Sequence, residues 1–207
     1  FSNARIFYLG CENDENIQTL RRQLGLENKF IFGYAGGFQK WQGVDNFIEA
    51  ARKIDDNRVA FVIVGGETEK RDGNILFLPR VPRTQLKDYY SLCDVLVVPR
   101  PNHPATEIAA PTKFAEYAAM GKPVLVTNVG DAPDLVKKYN CGIVVEDNTV
   151  ESLMKGILQF SNKPGDELER MGKNSRRLAE SEFDWNRLTG NLLKGISVSD
   201  LGRRHNP

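Results

Sequence analysis

Short apolar runs alternate with amphipathic stretches of about ten residues along most of this chain, and that alternation constrains the fold more than any other feature. The apolar runs are Ile6–Leu9, Phe30–Tyr34, Ala60–Val64, Ile75–Leu78, Val95–Pro99, Pro123–Thr127 and Gly142–Val145. Most are rich in Val, Ile and Phe and lack polar alternation, the mark of strands covered on both faces. Between and after them lie helical patterns at Asn16–Leu24, Val44–Lys53, Thr84–Leu92, Pro111–Met120, Asp131–Tyr139, Val150–Phe160 and Glu167–Glu180. Strand–helix alternation of this kind predicts βαβ units and an α/β fold with a doubly wound, Rossmann-like parallel sheet. Local signals agree: Gly25 is expected as a helix C-cap, Thr84 and Asp131 as N-caps, and Pro111 in a first turn. After Val150 the alternation gives way to helix and then a polar tail.

Length and charge narrow the function classes. The chain has 207 residues, with 28 Lys plus Arg against 27 Asp plus Glu, a net charge of +1. That balance carries no electrostatic footprint for nucleic acid, so no nucleic-acid partner is expected. No apolar run approaches the roughly 20 residues that span a bilayer. Cys11, Cys93 and Cys141 are odd in number and widely spaced, which reads as free thiols in a cytoplasmic protein. The first four residues, 1–4, read as vector-derived, with one domain expected over 5–183 and a C-terminal helical segment and tail over 184–207.

In an open parallel sheet, ligands bind beyond the carboxyl ends of the strands. The loop after Phe30–Tyr34 runs Ala35-Gly36-Gly37-Phe38-Gln39-Lys40-Trp41-Gln42-Gly43. Its glycines permit close approach of a ligand, and it opens a helix whose N-terminus favours anions. A tight turn and a phosphate site fit it equally; Lys40 could meet a phosphate, and Trp41 reads as a packing residue. Gly65-Gly66 follows a very apolar run, and Arg80-Val81-Pro82 could offer backbone groups to a flat heterocycle or simply connect. The richest loop, Arg100 to Ala110, contains His103, read as a plain loop residue, and Glu107, and leads into Pro111, Thr112, Lys113 and Glu116. Thr112 and Glu116 share a helix face, roughly 6 Å apart along the axis at about 1.5 Å per residue. That is about the reach from a diphosphate to a ribose diol. Thr112 and nearby backbone N–H groups would hold phosphate at the positive helix end, and the acceptor-only carboxylate of Glu116 suits vicinal hydroxyls. A surface Glu116 paired with Lys113 is the plain alternative. With only His103 and His205 in the chain, no metal site or hydrolytic triad is expected.

Three stretches carry a family resemblance: YAGGFQKWQGVDNFIEAA (34–51), ILFLPRVPRTQLKDYYSLCDVLVVPR (75–100) and PTKFAEYAAMGKPVLVT (111–127). In order and spacing they resemble the C-terminal, donor-binding domain of retaining GT-B glycosyltransferases of family 4. The resemblance implies one GT-B half-domain with extra C-terminal helices. It would bind a UDP-, GDP- or ADP-sugar donor, without a metal or other cofactor. Its partner would be a missing N-terminal acceptor-binding domain, which reaches an acceptor that can be membrane-associated; the chain alone would then be an inactive fragment. It implies transfer of a sugar to an acceptor hydroxyl with retention, in polysaccharide or glycoconjugate synthesis. By motif position, Glu116 is the ribose-binding second glutamate; the backbone near Pro111, Thr112 and Lys113, with Gly36 and Gly37, meets the diphosphate; and Val81 offers backbone contacts to the base. Glu107 is the candidate for the catalytic first glutamate, either displaced by a loop insertion or with that role lapsed.

The sequence departs from the family pattern at three places. Eight residues rather than seven separate Glu107 from Glu116, which puts Ile108 at the first-glutamate position. Gly37 and Gln42 stand where the family has Arg and Lys, leaving Lys40, Lys113 or Arg100 to neutralise phosphate. These departures keep open a non-catalytic nucleotide-sugar-binding module. A flavodoxin-like interaction domain matches less well, because Glu12, Asp14 and Glu15 precede a different pattern.

Overall fold

The computed structural model describes residues 14–108 and 112–184. The expected strand Ile6–Leu9, Cys11, Pro111 and His205 lie outside the described residues. The chain enters with helix α1 (Asp14–Gln23), which ends as its composition suggests. Gly25 takes a left-handed φ of 60°, and the N–H groups of Gly25 and Leu26 return to the carbonyls of Arg22 and Arg21.

The alternation seen in the sequence folds as β1 (Phe30–Ala35), α2 (Val44–Lys53), β2 (Val59–Gly66), β3 (Lys70–Asp72), β4 (Ile75–Pro79), α3 (Arg83–Leu92) and β5 (Val95–Val98). It continues as α4 (Pro104–Ile108), α5 (Thr112–Ala119), β6 (Val124–Thr127), α6 (Ala132–Tyr139), β7 (Gly142–Val145), α7 (Val150–Ser161) and α8 (Gly165–Leu178). A π-helical turn, Ala179–Phe183, follows α8.

The seven strands form one sheet in the order β3-β4-β2-β1-β5-β6-β7. All pairings are parallel except β3 with β4. β1 pairs with β2 from Phe30↔Val59 to Ala35↔Val64, and with β5 at Phe32↔Val95 and Gly33↔Leu96. Helices cover both faces. Tyr90, Leu92, Phe114, Tyr117, Val136 and Leu178 pack on one side, and Val44, Phe47, Leu153, Ile157 and Phe160 on the other. Rings interlock on the second face, with Phe32 stacked on Phe61 at 5.5 Å and Phe47 edge-on to Phe61 at 5.8 Å. From β1 the chain winds outward to β2 and β4, then returns past β1 to β5 and winds the other way. The switch point therefore lies between β1 and β5, where the two following loops diverge and leave a crevice.

Several local expectations are corrected. β3 was not expected, because Lys70, Arg71 and Asp72 carry no apolar pattern; as a charged edge strand it caps the sheet where unpaired backbone would otherwise invite another chain. Thr84 is not the cap of α3, which starts one residue earlier with Pro82 at the cap position and no side-chain bond. Asp131 does occupy the cap position of α6, but its side chain caps nothing. The cap that forms is Thr149, whose hydroxyl accepts the Ser152 N–H at 3.2 Å to start α7. The loop read from Arg100 to Ala110 contains the short helix α4, anchored by Thr106. The Thr106 hydroxyl donates towards the Pro101 carbonyl (2.7 Å) and accepts the His103 N–H (3.1 Å). Cys93 and Cys141 are buried free thiols.

Candidate functional site

The loop leaving β1 is shaped by contacts that only glycine allows. Gly36 has φ 155°, and a Cβ there would lie 2.2 Å from Lys113 Cε. A Cβ on Gly65, φ 137°, would lie 2.0 Å from the Gly36 carbonyl oxygen. The turn after β2 thus presses on the turn after β1, and the Lys113 stem crosses Gly36 in the space a side chain would take. The Gly36 N–H donates to the Val64 carbonyl at 2.9 Å, so Gly36 contributes room rather than a free donor. Next to it the Tyr34 hydroxyl donates to the Gly37 carbonyl at 2.7 Å and holds that turn to the strand end.

Helix α5 supplies two charged groups to this place. Lys113 is half-buried. Its ammonium donates to Gln42 Oε1 at 2.7 Å and stands 5.5 Å from the centroid of the Tyr34 ring. Among the described residues no carboxylate lies within ion-pair distance of it. Burial pushes its pKa below the ordinary lysine value and the nearby Arg100 charge adds to this, while Glu116 opposes. Arg100 is likewise lowered by burial, with Glu107 opposing. One turn along, Glu116 has both oxygens engaged: Arg83 Nη2 donates to Oε1 at 2.8 Å and the Tyr90 hydroxyl to Oε2 at 3.1 Å. The plain alternative of a Glu116 paired with Lys113 does not hold; the ion pair it makes is with Arg83.

These groups share a cavity of about 280 Å³ at the carboxyl ends of β1, β2 and β4. Ala35, Gly36, Gly37, Val64 and Gly65 line its strand side; Arg80, Val81, Leu86 and Tyr90 line the side of α3; Lys113 and Glu116 close it from α5. A larger depression of about 530 Å³ runs along α7 past Met154 and Leu158, and another of about 370 Å³ lies by Asn128, Lys137 and Glu146. Size does not select between them. The smaller cavity is the one beside the switch point, where the glycine turns after β1 and β2 meet α5, and it joins a cation with no carboxylate partner among the described residues to a convergent carboxylate.

Of the residues singled out from the sequence, Gly36, Gly37, Val81, Lys113 and Glu116 come together there. Thr112 is exposed at the start of α5, and Lys40 is exposed in the 3-10 turn Lys40–Gln42, outside the lining. Glu107 is exposed on α4 and accepts the Gly130 N–H at 3.3 Å, also away from the lining. His103 is exposed in the loop before α4. Trp41, read as a packing residue, is instead 51% exposed, because the 3-10 turn buries none of its residues.

Three buried residues were missed besides Arg83, the partner of Glu116. Tyr90 and Tyr117 pack edge-on at 5.1 Å, and the Tyr117 hydroxyl accepts the Ala35 N–H at 3.1 Å, which braces the end of β1. Buried Asn148 donates to the carbonyls of Gly43 (3.0 Å) and Pro99 (2.6 Å), tying the loops after β1, β5 and β7 together. Nothing local marks them: two tyrosines in helical patterns and one asparagine in a polar turn look ordinary until the sheet brings their partners close.

Among the described residues no group of three or more His, Cys, Asp or Glu is placed to hold a metal ion, and no helix is long and apolar enough to cross a membrane.

Comparison with known proteins gives a consistent picture. Residues 16–178 match the family described as Glycosyl transferases group 1. Spore coat protein SA of Bacillus subtilis is 26% identical over 201 residues, covering 85% of this chain and 51% of that protein. Alpha-galactosylglucosyldiacylglycerol synthase of Streptococcus pneumoniae is 26% identical over 188 residues, covering 82% and 47%. The chain thus spans about half the length of the curated relatives it matches. Among solved structures, Anabaena HepE in complex with UDP and glucose superposes with a TM-score of 0.72 at 20% identity, covering 92% of this chain and 54% of that one. Sucrose-phosphate synthase from Thermosynechococcus elongatus gives 0.71 at 22%, covering 91% and 50%. Both share its fold.

Proposed function

The chain belongs to the group 1 glycosyl transferases, and from that premise we propose that it is their donor-binding domain, gripping a nucleotide diphosphate sugar in the switch-point cavity. The observation that carries this is the convergence of Lys113 and Glu116, one helical turn apart, over a floor of glycines. Backbone groups near Val81 face the base, Glu116 accepts the ribose diol, and the diphosphate lies between the Gly36-Gly37 turn and the N-terminus of α5. Lys113 and the Thr112 end of the helix supply the positive charge. The solved HepE complexes contain UDP with glucose and UDP-glucose, which supports a donor of this class.

Of the missing basic pair, the lysine is the one we propose Lys113 replaces. Gln42 occupies the place where the family pattern has lysine, and the Lys113 ammonium is delivered to the Gln42 side chain from the neighbouring helix. A half-buried cation with no carboxylate partner among the described residues is unfavourable on its own, and a diphosphate would compensate it with charge-assisted hydrogen bonds. In the reaction we propose, the bond from sugar C1 to the diphosphate breaks and its electron pair stays on the phosphate oxygen. The acceptor hydroxyl oxygen bonds C1 with retention, and its proton passes to the departing phosphate oxygen. Charge builds on the leaving diphosphate in the transition state, so a cation and a helix terminus aimed at it lower the barrier without a metal. The acceptor site, in polysaccharide or glycoconjugate synthesis, belongs to an N-terminal half of the kind the longer relatives have room for. Glu107 stands outside the cavity and is given no step.

A thermal-shift screen of UDP-, GDP- and ADP-sugars tests this. Stabilisation by one base class, weakened in Glu116→Ala, is expected; an unchanged response in that variant removes the ribose assignment.

A further inference from the structure

The Glu116 carboxylate is held by two donors of opposite character. Tyr90 is buried, 4% exposed, with its ring fixed edge-on against Tyr117. Burial raises its phenol far above the ordinary range and the Glu116 charge adds to that, so the hydroxyl keeps its proton and stays a donor. Arg83 reaches the other oxygen from the first residue of α3, on a side chain 59% exposed. Such an exposed pair is weak and exchangeable, whereas the tyrosine has nowhere else to go.

Resting on the donor-site reading above, we propose that Tyr90 is the positioning residue of the ribose-binding carboxylate and that Arg83 is the partner a ribose diol displaces. A carboxylate has about four acceptor sites, so Oε2 can keep the Tyr90 hydrogen bond and still accept one hydroxyl. Oε1 accepts the second hydroxyl, and Arg83, the exposed and more weakly held of the two donors, gives way to it. The same ring pair braces Ala35 at the end of β1, so the carboxylate is set relative to the glycine turn beneath the diphosphate. Tyr90 thus fixes the direction in which the diol is read, and selectivity for ribose over a sugar lacking both hydroxyls follows from it.

The test is calorimetric binding of whichever of UDP, GDP or ADP stabilises the chain, compared with its 2′,3′-dideoxy counterpart. Wild type prefers the ribo form by at least about tenfold, since two hydrogen bonds to a charged acceptor are at stake. Tyr90→Phe keeps the ring on Tyr117 but loses the hydroxyl. Its affinity for the ribo form falls about tenfold, while the dideoxy form is held within about twofold. Arg83→Gln leaves ribo affinity unchanged or up to about threefold tighter, because it removes only an exposed competitor. A merely structural tyrosine would weaken both nucleotides equally, and that result overturns the proposal. So does a ribo/dideoxy ratio that survives Tyr90→Phe, or one that collapses in Arg83→Gln. If none of the three nucleotides binds wild type, the donor site itself is lost, which is a distinct failure visible before any variant is made.

Discussion

Replacing Lys113 by methionine is expected to move stability and binding in opposite directions. The side chain crosses Gly36 and lies over Tyr34, so an unbranched apolar chain of similar length keeps that packing. What it removes is a charge that the unliganded site disfavours. Burial and the Arg100 charge outweigh the pull of Glu116, which is why the pKa is lowered. The sign follows from linkage: a lysine whose folded pKa lies below its unfolded value costs stability at neutral pH. That cost fades as pH rises through the folded pKa towards the unfolded 10.5. Lys113→Met should therefore be as stable as wild type or up to about 1 kcal/mol more stable, since an unpaired buried charge is exchanged for an apolar group. For a domain of this size that gain is about 2–4 °C in Tm. Nucleoside diphosphate affinity should fall about 10- to 100-fold, from the loss of a charge-assisted hydrogen bond worth about 1.5–3 kcal/mol. Scanning calorimetry and binding titration measure the two sides. Measured as the difference from the variant, in which the buried thiols and phenols titrate alike, wild-type stability should gain with pH in the alkaline range and wild-type binding should weaken over the same range. A loss of more than about 2 kcal/mol of stability would mean that the ammonium holds the fold together. Unchanged nucleotide affinity would refute its role at the diphosphate.

Asn148→Ala removes hydrogen bonds to two carbonyls, of Gly43 and Pro99, and should cost about 2–4 kcal/mol by chemical denaturation, because buried partners are left unmet; a loss below about 0.5 kcal/mol would show that the three loops need no such tie. Burial pushes the Cys93 thiol up to about 12 and the Cys141 thiol to about 11. Alkylation at pH 8, mapped by peptide mass, should spare both in the folded chain and reach both in denaturant.

What the sequence made legible was periodic. All six apolar runs within the described residues are strands, and the helix expected at Val44–Lys53 has those bounds. β3 escaped because a three-residue edge strand of Lys, Arg and Asp has no hydrophobic face to announce it. α4 escaped because five residues starting at Pro104, behind Pro101, Asn102 and His103, read as loop, and its anchor is one hydroxyl bonded across the turn. Trp41 illustrates a different limit. Aromatic side chains are usually buried, but a short 3-10 turn between two glycine-bearing segments leaves this one in solvent. In the cavity, the residues legible in advance were those on the β1 turn, Val81 after β4, and those on α5, where spacing decides what shares a face. Arg83 and Tyr90 lie 33 and 26 residues from Glu116, and their meeting depends on how α3 recrosses the sheet after β4. No local pattern encodes that distance.

The most direct measurement is the structure of the chain with the nucleoside diphosphate that stabilises it most. The diphosphate is expected within hydrogen-bond reach of Lys113 Nζ, about 2.7–3.2 Å, beside Gly37 and the start of α5, with the ribose hydroxyls on Glu116. A nucleotide seated instead along α7, at Met154 and Leu158, or beside Asn128 and Glu146, would contradict the assignment of the switch-point cavity as the donor site.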